Sequence, residues 1–136
     1  MGKENAIAKE VVDASYQIHS TIGPGLLESV YETILCHELE KRGLFVERQK
    51  AIRIKFDGLV FDEGFRADII VENLPIIELK SIESIAPVHK KQLLTYLRLT
   101  DKKLGLLINF GSALIMVFLE LSMDSKNKPL RLGGFA

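Results

Sequence analysis

The chain has one cysteine, no tryptophan and no long run of apolar residues. Its single cysteine, Cys36, has no partner for a disulfide within the chain, which fits a reducing cytoplasm. With only three histidines beside that cysteine, at unrelated spacings, a structural zinc site is not expected. No segment approaches the roughly 18 apolar residues of a transmembrane helix, and the N-terminus lacks the apolar core of a signal peptide. These absences predict a soluble, cytoplasmic protein.

Length and composition favour one folded domain over residues 1–136. A chain of 136 residues with 47% hydrophobic and 26% charged residues is long enough to bury one hydrophobic core. The net charge is zero, but residues 1–88 hold 15 acidic and 10 basic side chains, whereas residues 89–136 hold 3 and 8. An acidic half suits cations and a basic half suits phosphate; equally, the two halves would attract each other within the fold. Bulk charge does not indicate strong nonspecific DNA binding.

Three segments have the apolar spacing of amphipathic helices, namely residues 4–20, 26–42 and 88–100. The first two are separated by Gly23-Pro24-Gly25, which should break the chain sharply. Gly43 is well placed as the C-terminal cap of the second helix, and Pro87 suits the first turn of the third.

The second helix carries a glutamate in an unusual position. At 100° per residue, Glu28 falls inside the apolar stripe, as does Glu38 further along. Glu28 differs because it lies in the first turn beside the glycine-rich break, where its carboxylate can reach a neighbouring site. His19 lies four residues before Gly23 and is a further candidate if the helices fold back closely, although a histidine at a helix end is more often a cap or a surface residue.

Strands are predicted between the second and third helices. Ile52, Ile54 and Phe56 alternate with basic residues in a two-residue period, and Asp57-Gly58 is a strong hairpin signal. Residues 59–61 continue this hairpin, and Asp62-Glu63-Gly64 is expected to turn the chain into the next strand. The meander should therefore have three or four strands.

The central stretch, residues 65–80, is predicted to form two of these strands, over residues 65–71 and 74–80, joined by a polar turn at residues 72–73. Both are rich in Ile, Val and Leu, yet they carry Asp68, Glu78 and Lys80. Side chains alternate between the two faces of a strand, so Glu78 and Lys80 share one face. A buried carboxylate is costly unless it is paired or coordinates a metal.

This set of charges suits metal-dependent hydrolysis. Two carboxylates, often with a main-chain carbonyl between them, bind Mg²⁺ through hard oxygen ligands. Such an ion polarises a phosphate and activates water, and a nearby lysine stabilises the negative charge that develops. The ordinary alternative is that Glu78 and Lys80 form a surface ion pair, or that all the charges form a structural salt-bridge cluster.

After the third helix, residues 104–110 form a nearly continuous apolar run, as expected for a strand covered on both faces. A helix between two such strands predicts a crossover, with this strand parallel to residues 74–80. Residues 113–121 supply a last strand, and the tail from Asp124 should be loosely structured. By periodicity alone, Gln92 and Tyr96 are a surface and a partly buried residue on one helix face. The order of elements predicts an α/β or α+β domain with a mixed sheet flanked by helices.

The same residues resemble a known family. Asp68 with Glu78-Leu79-Lys80 resembles the signature of the PD-(D/E)XK nuclease superfamily, and Gln92 with Tyr96 matches the Q-x-x-x-Y motif of its RecB-like branch. A closer resemblance is to the bacterial GxxExxY protein family of that superfamily, carried by Gly25-Leu26-Leu27-Glu28-Ser29-Val30-Tyr31. The segments Ile18-His19, Phe65-Arg66-Ala67-Asp68 and residues 105–111 also resemble it. The match spans about residues 5–120. Ala67 stands where the signature usually has proline.

The resemblance implies a restriction-endonuclease-like core that cleaves DNA with Mg²⁺ or Mn²⁺. It implies that Asp68 and Glu78 are metal ligands, that Leu79 offers its main-chain carbonyl, and that Lys80 is the catalytic lysine. Glu28 would be the acid supplied by the helix, holding the metal or its water, and Gln92 and Tyr96 would contact DNA or brace the site.

A different class of function is also open: a module that keeps the fold, lacks catalysis and binds nucleic acid or a protein partner. The short chain has no obvious subdomain for gripping DNA. For the same reason a homodimer or a larger complex is expected, since one small subunit covers little DNA.

Overall fold

A computed structural model describes residues 2–123 and 129–130, with side chains through Leu121. Within these residues the elements are α1 (Gly2–Ile22), α2 (Glu28–Lys41), β1 (Val46–Phe56), β2 (Leu59–Val71), β3 (Ile76–Lys80), α3 (Pro87–Thr100), β4 (Leu104–Asn109), β5 (Ile115–Glu120), β6 (Ser122–Met123) and β7 (Pro129–Leu130). The predicted helices and strands are present, with ends that differ by a few residues. No helix in the described part of the chain is both long and apolar enough to cross a membrane.

Five strands form one mixed sheet in the order β1-β2-β3-β4-β5. The β3–β4 pair is parallel and the other pairs are antiparallel. The predicted crossover through α3 is therefore confirmed, because parallel neighbours require such a connection. β3 is the middle strand, which places Glu78 and Lys80 at the centre of the sheet.

The helices cover both faces of this sheet, so the predicted α+β fold with a flanked mixed sheet is confirmed. On one face α1 and α2 pack against residues that include Ile69, Ile77, Leu79, Leu106 and Ile108. On the other, α3 packs through Leu93, Leu94 and Leu97 against residues that include Ala67, Ile70, Ile76 and Leu107. Because Leu79 joins the first cluster and Ile76 the second, the strand alternation assigns Glu78 and Lys80 to the α3 face.

The prediction of a turn at Asp62-Glu63-Gly64 was wrong. β2 runs without a break from Leu59 to Val71, and the register between β1 and β2 shifts between Ile52 and Ile54 instead. β2 therefore has more residues than β1 between the paired rows on either side of this shift, and they form a bulge within a continuous strand. Gly64 is needed there, because a Cβ at this position would lie 2.0 Å from the Cδ1 atom of Ile54.

The hairpin predicted at Asp57-Gly58 is confirmed. Both residues have positive φ values, 49° and 78°, as a two-residue turn of the primed type requires. At the other end of the chain, Pro129–Leu130 pair with Ser122–Met123 as β7 and β6, which the prediction of a loosely structured tail did not include. The remaining tail, residues 124–128 and 131–136, lies outside the described residues.

Candidate functional site

Asp68 and Glu78 lie at the point where β2 and β3 stop pairing. The backbone ladder joins Ile70 to Ile76 and Ile69 to Ile77 and does not continue to the next row. There, Glu78 Oε2 accepts a hydrogen bond from the Asp68 N–H at 2.9 Å, and Asp68 Oδ2 accepts one from the Leu79 N–H at 2.9 Å. The two carboxylates replace the ladder with reciprocal bonds, and this fixes them beside each other.

Both carboxyl groups have raised pKa values. Glu78 is only 8% exposed, and burial, reinforced by the neighbouring Asp68 carboxylate, raises its pKa to about 8. Burial also raises the pKa of Asp68, although the hydrogen bond from Leu79 works in the opposite direction. Two acidic groups are thus held close together in a partly desolvated place, where a cation would stabilise both.

Lys80 follows on the same strand and is half-buried. Its positive charge lowers the pKa values of Glu28, Asp68 and Glu78, against the larger effect of burial on each. The lysine is therefore within electrostatic reach of all three predicted acids. The structure brings together four of the residues that the sequence predicts for the site.

Glu28 begins α2, and the preceding glycine-rich connection is held by Tyr31. The buried Tyr31 hydroxyl donates to the Gly23 carbonyl at 2.6 Å and accepts from the Leu26 N–H at 3.2 Å. Its ring stacks on Phe110, with centroids 4.6 Å apart. The tyrosine three residues after Glu28 thus shapes the loop that carries the glutamate.

Ser81 joins this loop to the end of β3. Ser81 directly follows Lys80, and its hydroxyl donates to the Leu26 carbonyl at 2.6 Å. The Glu28 side chain is exposed, yet partial desolvation raises its pKa. The positive charge of Lys80 lowers this pKa, and the Asp68 carboxylate raises it. These interactions place Glu28 on the rim of the site rather than in its buried part.

The segment after Lys80 is also fixed from β4. The buried Asn109 side chain accepts from the Ile82 and Gly111 N–H groups at 3.1 and 3.0 Å and donates to the Ile82 carbonyl at 3.0 Å. Gly111 lies so close to the Ile82 backbone that a Cβ added to Gly111 would be 2.2 Å from the N atom of Ile82.

Tyr96 approaches the site from α3. Its ring packs against the α3-face cluster, and burial, followed by the Glu78 and Asp68 carboxylates, raises the pKa of its phenol. Its ring stacks on Phe65, with centroids 3.8 Å apart. Gln92 lies one turn earlier on the same helix and is exposed.

His19 is placed at the end of α1, facing the β4–β5 connection. One of its ring nitrogens, Nε2, lies 2.7 Å from the Ser112 carbonyl, and its ring is tilted against Phe110 at 6.2 Å. These contacts are structural, and neither is to a carboxylate of the site.

Two residues near Asp68 were missed by sequence reasoning. Glu32 is buried, one turn after Glu28, and accepts a hydrogen bond from Gln49 Nε2 at 2.6 Å. The same nitrogen lies 3.3 Å from Asp68 Oδ1. The spacing of Glu28 and Glu32 shows that they share a helix face, but nothing in the sequence indicates that Gln49 would reach them from β1.

A family model of the PD-(D/E)XK nuclease superfamily matches residues 5–118. The chain belongs to the PD-(D/E)XK nuclease superfamily. The match covers all three helices except the first residues of α1, and it includes β1 to β4 and the whole central stretch. Searches of curated proteins and of solved structures gave no match.

In this superfamily member, a groove lined by Leu27, Glu28, Ser29, Glu32 and Gln49 lies next to Asp68, which Gln49 contacts. Within the described residues, no group of three His, Cys, Asp or Glu side chains is arranged to hold a metal ion, so Glu28 does not complete such a group with Asp68 and Glu78. The remaining donors still fit Mg²⁺, which is typically bound by one or two carboxylates and keeps several waters. Burial and, after it, repulsion from Asp68 raise the Glu78 pKa, and the charge of a bound cation would offset both effects.

Proposed function

We propose that this chain is a divalent-metal-dependent nuclease that hydrolyses DNA phosphodiester bonds. The observation that carries the proposal is the reciprocal hydrogen bonding of Asp68 and Glu78 at the centre of the sheet, with Lys80 beside them on the α3 face. Membership of the PD-(D/E)XK nuclease superfamily supports it. Buried acidic pairs with strongly raised pKa values are a feature of functional sites.

The proposed cofactor is Mg²⁺ or Mn²⁺, held by Asp68, Glu78 and the main-chain carbonyl of Leu79. When bound, such an ion supplies polarisation of a phosphate oxygen and activation of water. Glu28, on the rim, would accept hydrogen bonds from water around the ion rather than bind it directly. The protein contributes two carboxyl groups that are fixed in place before any ion arrives, and a bound cation would favour release of the proton that Glu78 keeps in the metal-free protein.

Lys80 is proposed as the catalytic lysine. Its ammonium group would orient the attacking water and stabilise the negative charge that grows on the phosphate oxygens. Gln92 and Tyr96 are proposed to contact DNA or to brace the site from α3. The stacking of Tyr96 on Phe65 supports a bracing role for its ring, and its phenol is within electrostatic reach of the acids, which raise its pKa after burial.

Cleavage of DNA in Mg²⁺ or Mn²⁺ tests this function. Wild-type protein should cleave, chelation should stop cleavage, and Glu78→Ala and Lys80→Ala should abolish it. Glu83→Ala is the matched control, since Glu83 is exposed in the connector after β3 and should leave cleavage unchanged. Equal trace activity in the wild type and both site variants would contradict the proposal.

The alternative is a catalytically silent module that binds nucleic acid or a protein partner. It is favoured by the absence of a three-carboxylate cluster among the described residues and by the zero net charge. If the protein retarded DNA in a gel without added metal and did not cleave it, the result would favour this alternative.

We further infer that the chain belongs to the GxxExxY group, in the RecB-like branch, and acts in the cytoplasm as a homodimer or within a larger complex. Tyr31 supports the assignment to the GxxExxY group. It is the tyrosine of that motif, and its hydroxyl holds the loop that leads to Glu28, the glutamate of the motif. Sedimentation measurements would decide the oligomeric state.

A further inference from the structure

Gln49 occupies an irregular position in β1, directly beside Asp68. The β1–β2 ladder pairs Arg48 with Ile69 and Lys50 with Ala67, and it omits the row between them, which contains Gln49 and Asp68. Gln49 has a left-handed backbone with φ 47°, a conformation that non-glycine residues seldom adopt. The ladder is thus interrupted on both sides of Asp68, towards β1 and towards β3.

The Gln49 side chain lies between two carboxylates. Its Nε2 donates to Glu32 Oε1 at 2.6 Å and reaches Asp68 Oδ1 at 3.3 Å. Both neighbours are acceptors, so the amide nitrogen, rather than the amide oxygen, must face them. One group therefore links α2 to the acidic residue of β2.

Glu32 gives this link a fixed end. The glutamate is only 6% exposed, and its Oε2 accepts from Arg48 Nη2 at 3.0 Å and Nε at 3.3 Å. The two guanidinium nitrogens hold one oxygen of Glu32, and Gln49 binds the other. Arg48 therefore holds Glu32, and Glu32 holds the Gln49 amide.

We propose that Gln49 is a positioning residue for Asp68. Leu79 donates to Oδ2 of Asp68 and Gln49 to Oδ1, so the two donors together set the rotation of the carboxylate. In the nuclease this rotation decides how Asp68 presents an oxygen to the cation, and that part of the inference rests on the proposed function. The geometric part, that Gln49 fixes Asp68, does not.

Amide hydrogen exchange of the metal-free protein tests the geometric part. In Gln49→Met the Asp68 carboxylate gains rotational freedom, so the Leu79 amide should exchange about tenfold faster. Amides in the β4 ladder, such as that of Leu107, should keep their rates. Gln17→Met is the matched control, because it removes another glutamine-to-aspartate bond, an exposed one to Asp13 on α1, and should change neither rate.

If Gln49→Met does not fold, Gln49→Asn takes its place, because asparagine tolerates the left-handed backbone but is too short to reach both carboxylates. An unchanged Leu79 rate, or equal acceleration of Leu79 and Leu107, would overturn the inference, since the latter means only a general loss of stability.

Calorimetric titration with Mn²⁺ tests the functional part. Where the wild type binds, Gln49→Met should weaken affinity about 10- to 100-fold, as loss of an outer hydrogen bond to a ligand does. If the wild type binds no Mn²⁺ and cleaves no DNA, the proposed function fails, while the exchange rates still decide whether Gln49 fixes Asp68. Tight Mn²⁺ binding that Gln49→Met leaves unchanged would overturn the inference alone.

Discussion

Asp68 and Glu78 each accept a hydrogen bond from the main chain of the other's strand. Glu78 Oε2 binds the N–H of Asp68, and Asp68 Oδ2 binds the N–H of Leu79, both at 2.9 Å. The reciprocal bonds bring two acidic groups together in the middle of the sheet. Because Glu78 is buried next to Asp68, its carboxyl keeps a proton at a pH where an exposed glutamate has lost it.

The stability of the metal-free protein should therefore fall as pH rises from about 4.5 to about 8. The unfolded chain releases the Glu78 proton near its ordinary pKa of 4.5, whereas the folded chain keeps it until about 8. The folded state binds more protons over this range, so its advantage is complete below the lower pKa and is lost above the higher one. The loss should be on the order of 5 kcal/mol in the free energy of unfolding. Urea unfolding in the presence of a chelator, repeated along this range, measures it.

Glu78→Gln should remove most of this pH dependence and make the metal-free protein more stable than the wild type at pH 8. Glu83→Gln, an exposed substitution on the connector, should keep the wild-type slope. A Glu78→Gln protein with the full wild-type slope would show that another group is responsible.

Tyr31→Phe should destabilise the fold and also reduce activity, although no carboxylate is changed. The variant keeps the stacking on Phe110 but leaves the Gly23 carbonyl and the Leu26 N–H without their partner. We expect a loss of about 1–3 kcal/mol in the free energy of unfolding. Tyr16→Phe, at an exposed tyrosine on α1, is the control and should change stability by less than about 0.5 kcal/mol. Equal unfolding midpoints for both variants would contradict this role for Tyr31.

Gly111→Ala should be strongly destabilising. The added methyl group would overlap the Ile82 backbone, which Asn109 holds in place, so neither side can move cheaply. Gly2→Ala adds the same group to open space and should be neutral or slightly stabilising. Thermal unfolding compares the two, and a Gly111→Ala protein as stable as the wild type would show that this approach is looser than described.

Two substitutions of Tyr96 distinguish what its ring contributes to stability from what its hydroxyl contributes to DNA binding. Tyr96→Phe keeps the stacking on Phe65, so stability should stay within about 1 kcal/mol, whereas Tyr96→Ala should lose about 2–3 kcal/mol. If the phenol contacts DNA, Tyr96→Phe should weaken DNA binding at wild-type stability. Equal unfolding free energies for the Phe and Ala variants would exclude the bracing role.

Much of the fold could be predicted from local patterns. The crossover follows from a helix between two apolar strands, and the first hairpin from Asp57-Gly58, because both depend on residues adjacent in the chain. The irregularity at Gly64 could not be predicted. A Gly after two acidic residues is typical of a turn, and the continuous strand depends on pairing with β1 and on the close packing of Ile54 against Gly64, which are contacts distant in the chain.

Some residues of the site could also be predicted from the sequence, and others could not. Glu28, Asp68 and Lys80 could be selected because each is a charge in an apolar pattern. Glu32 and Gln49 could not, because a single glutamate on an amphipathic helix and a single glutamine on a strand are both ordinary. Burial of Glu32 depends on Arg48 and Gln49, which come from a different element of the fold.

The central claim, that Asp68 and Glu78 hold a cation, is tested most directly by soaking crystals with Mn²⁺ and recording anomalous scattering. The account predicts one strong peak between the Asp68 and Glu78 carboxylates, lost in Glu78→Ala crystals treated in the same way. A map without a peak at this position, under conditions where Mn²⁺ supports cleavage, would contradict it.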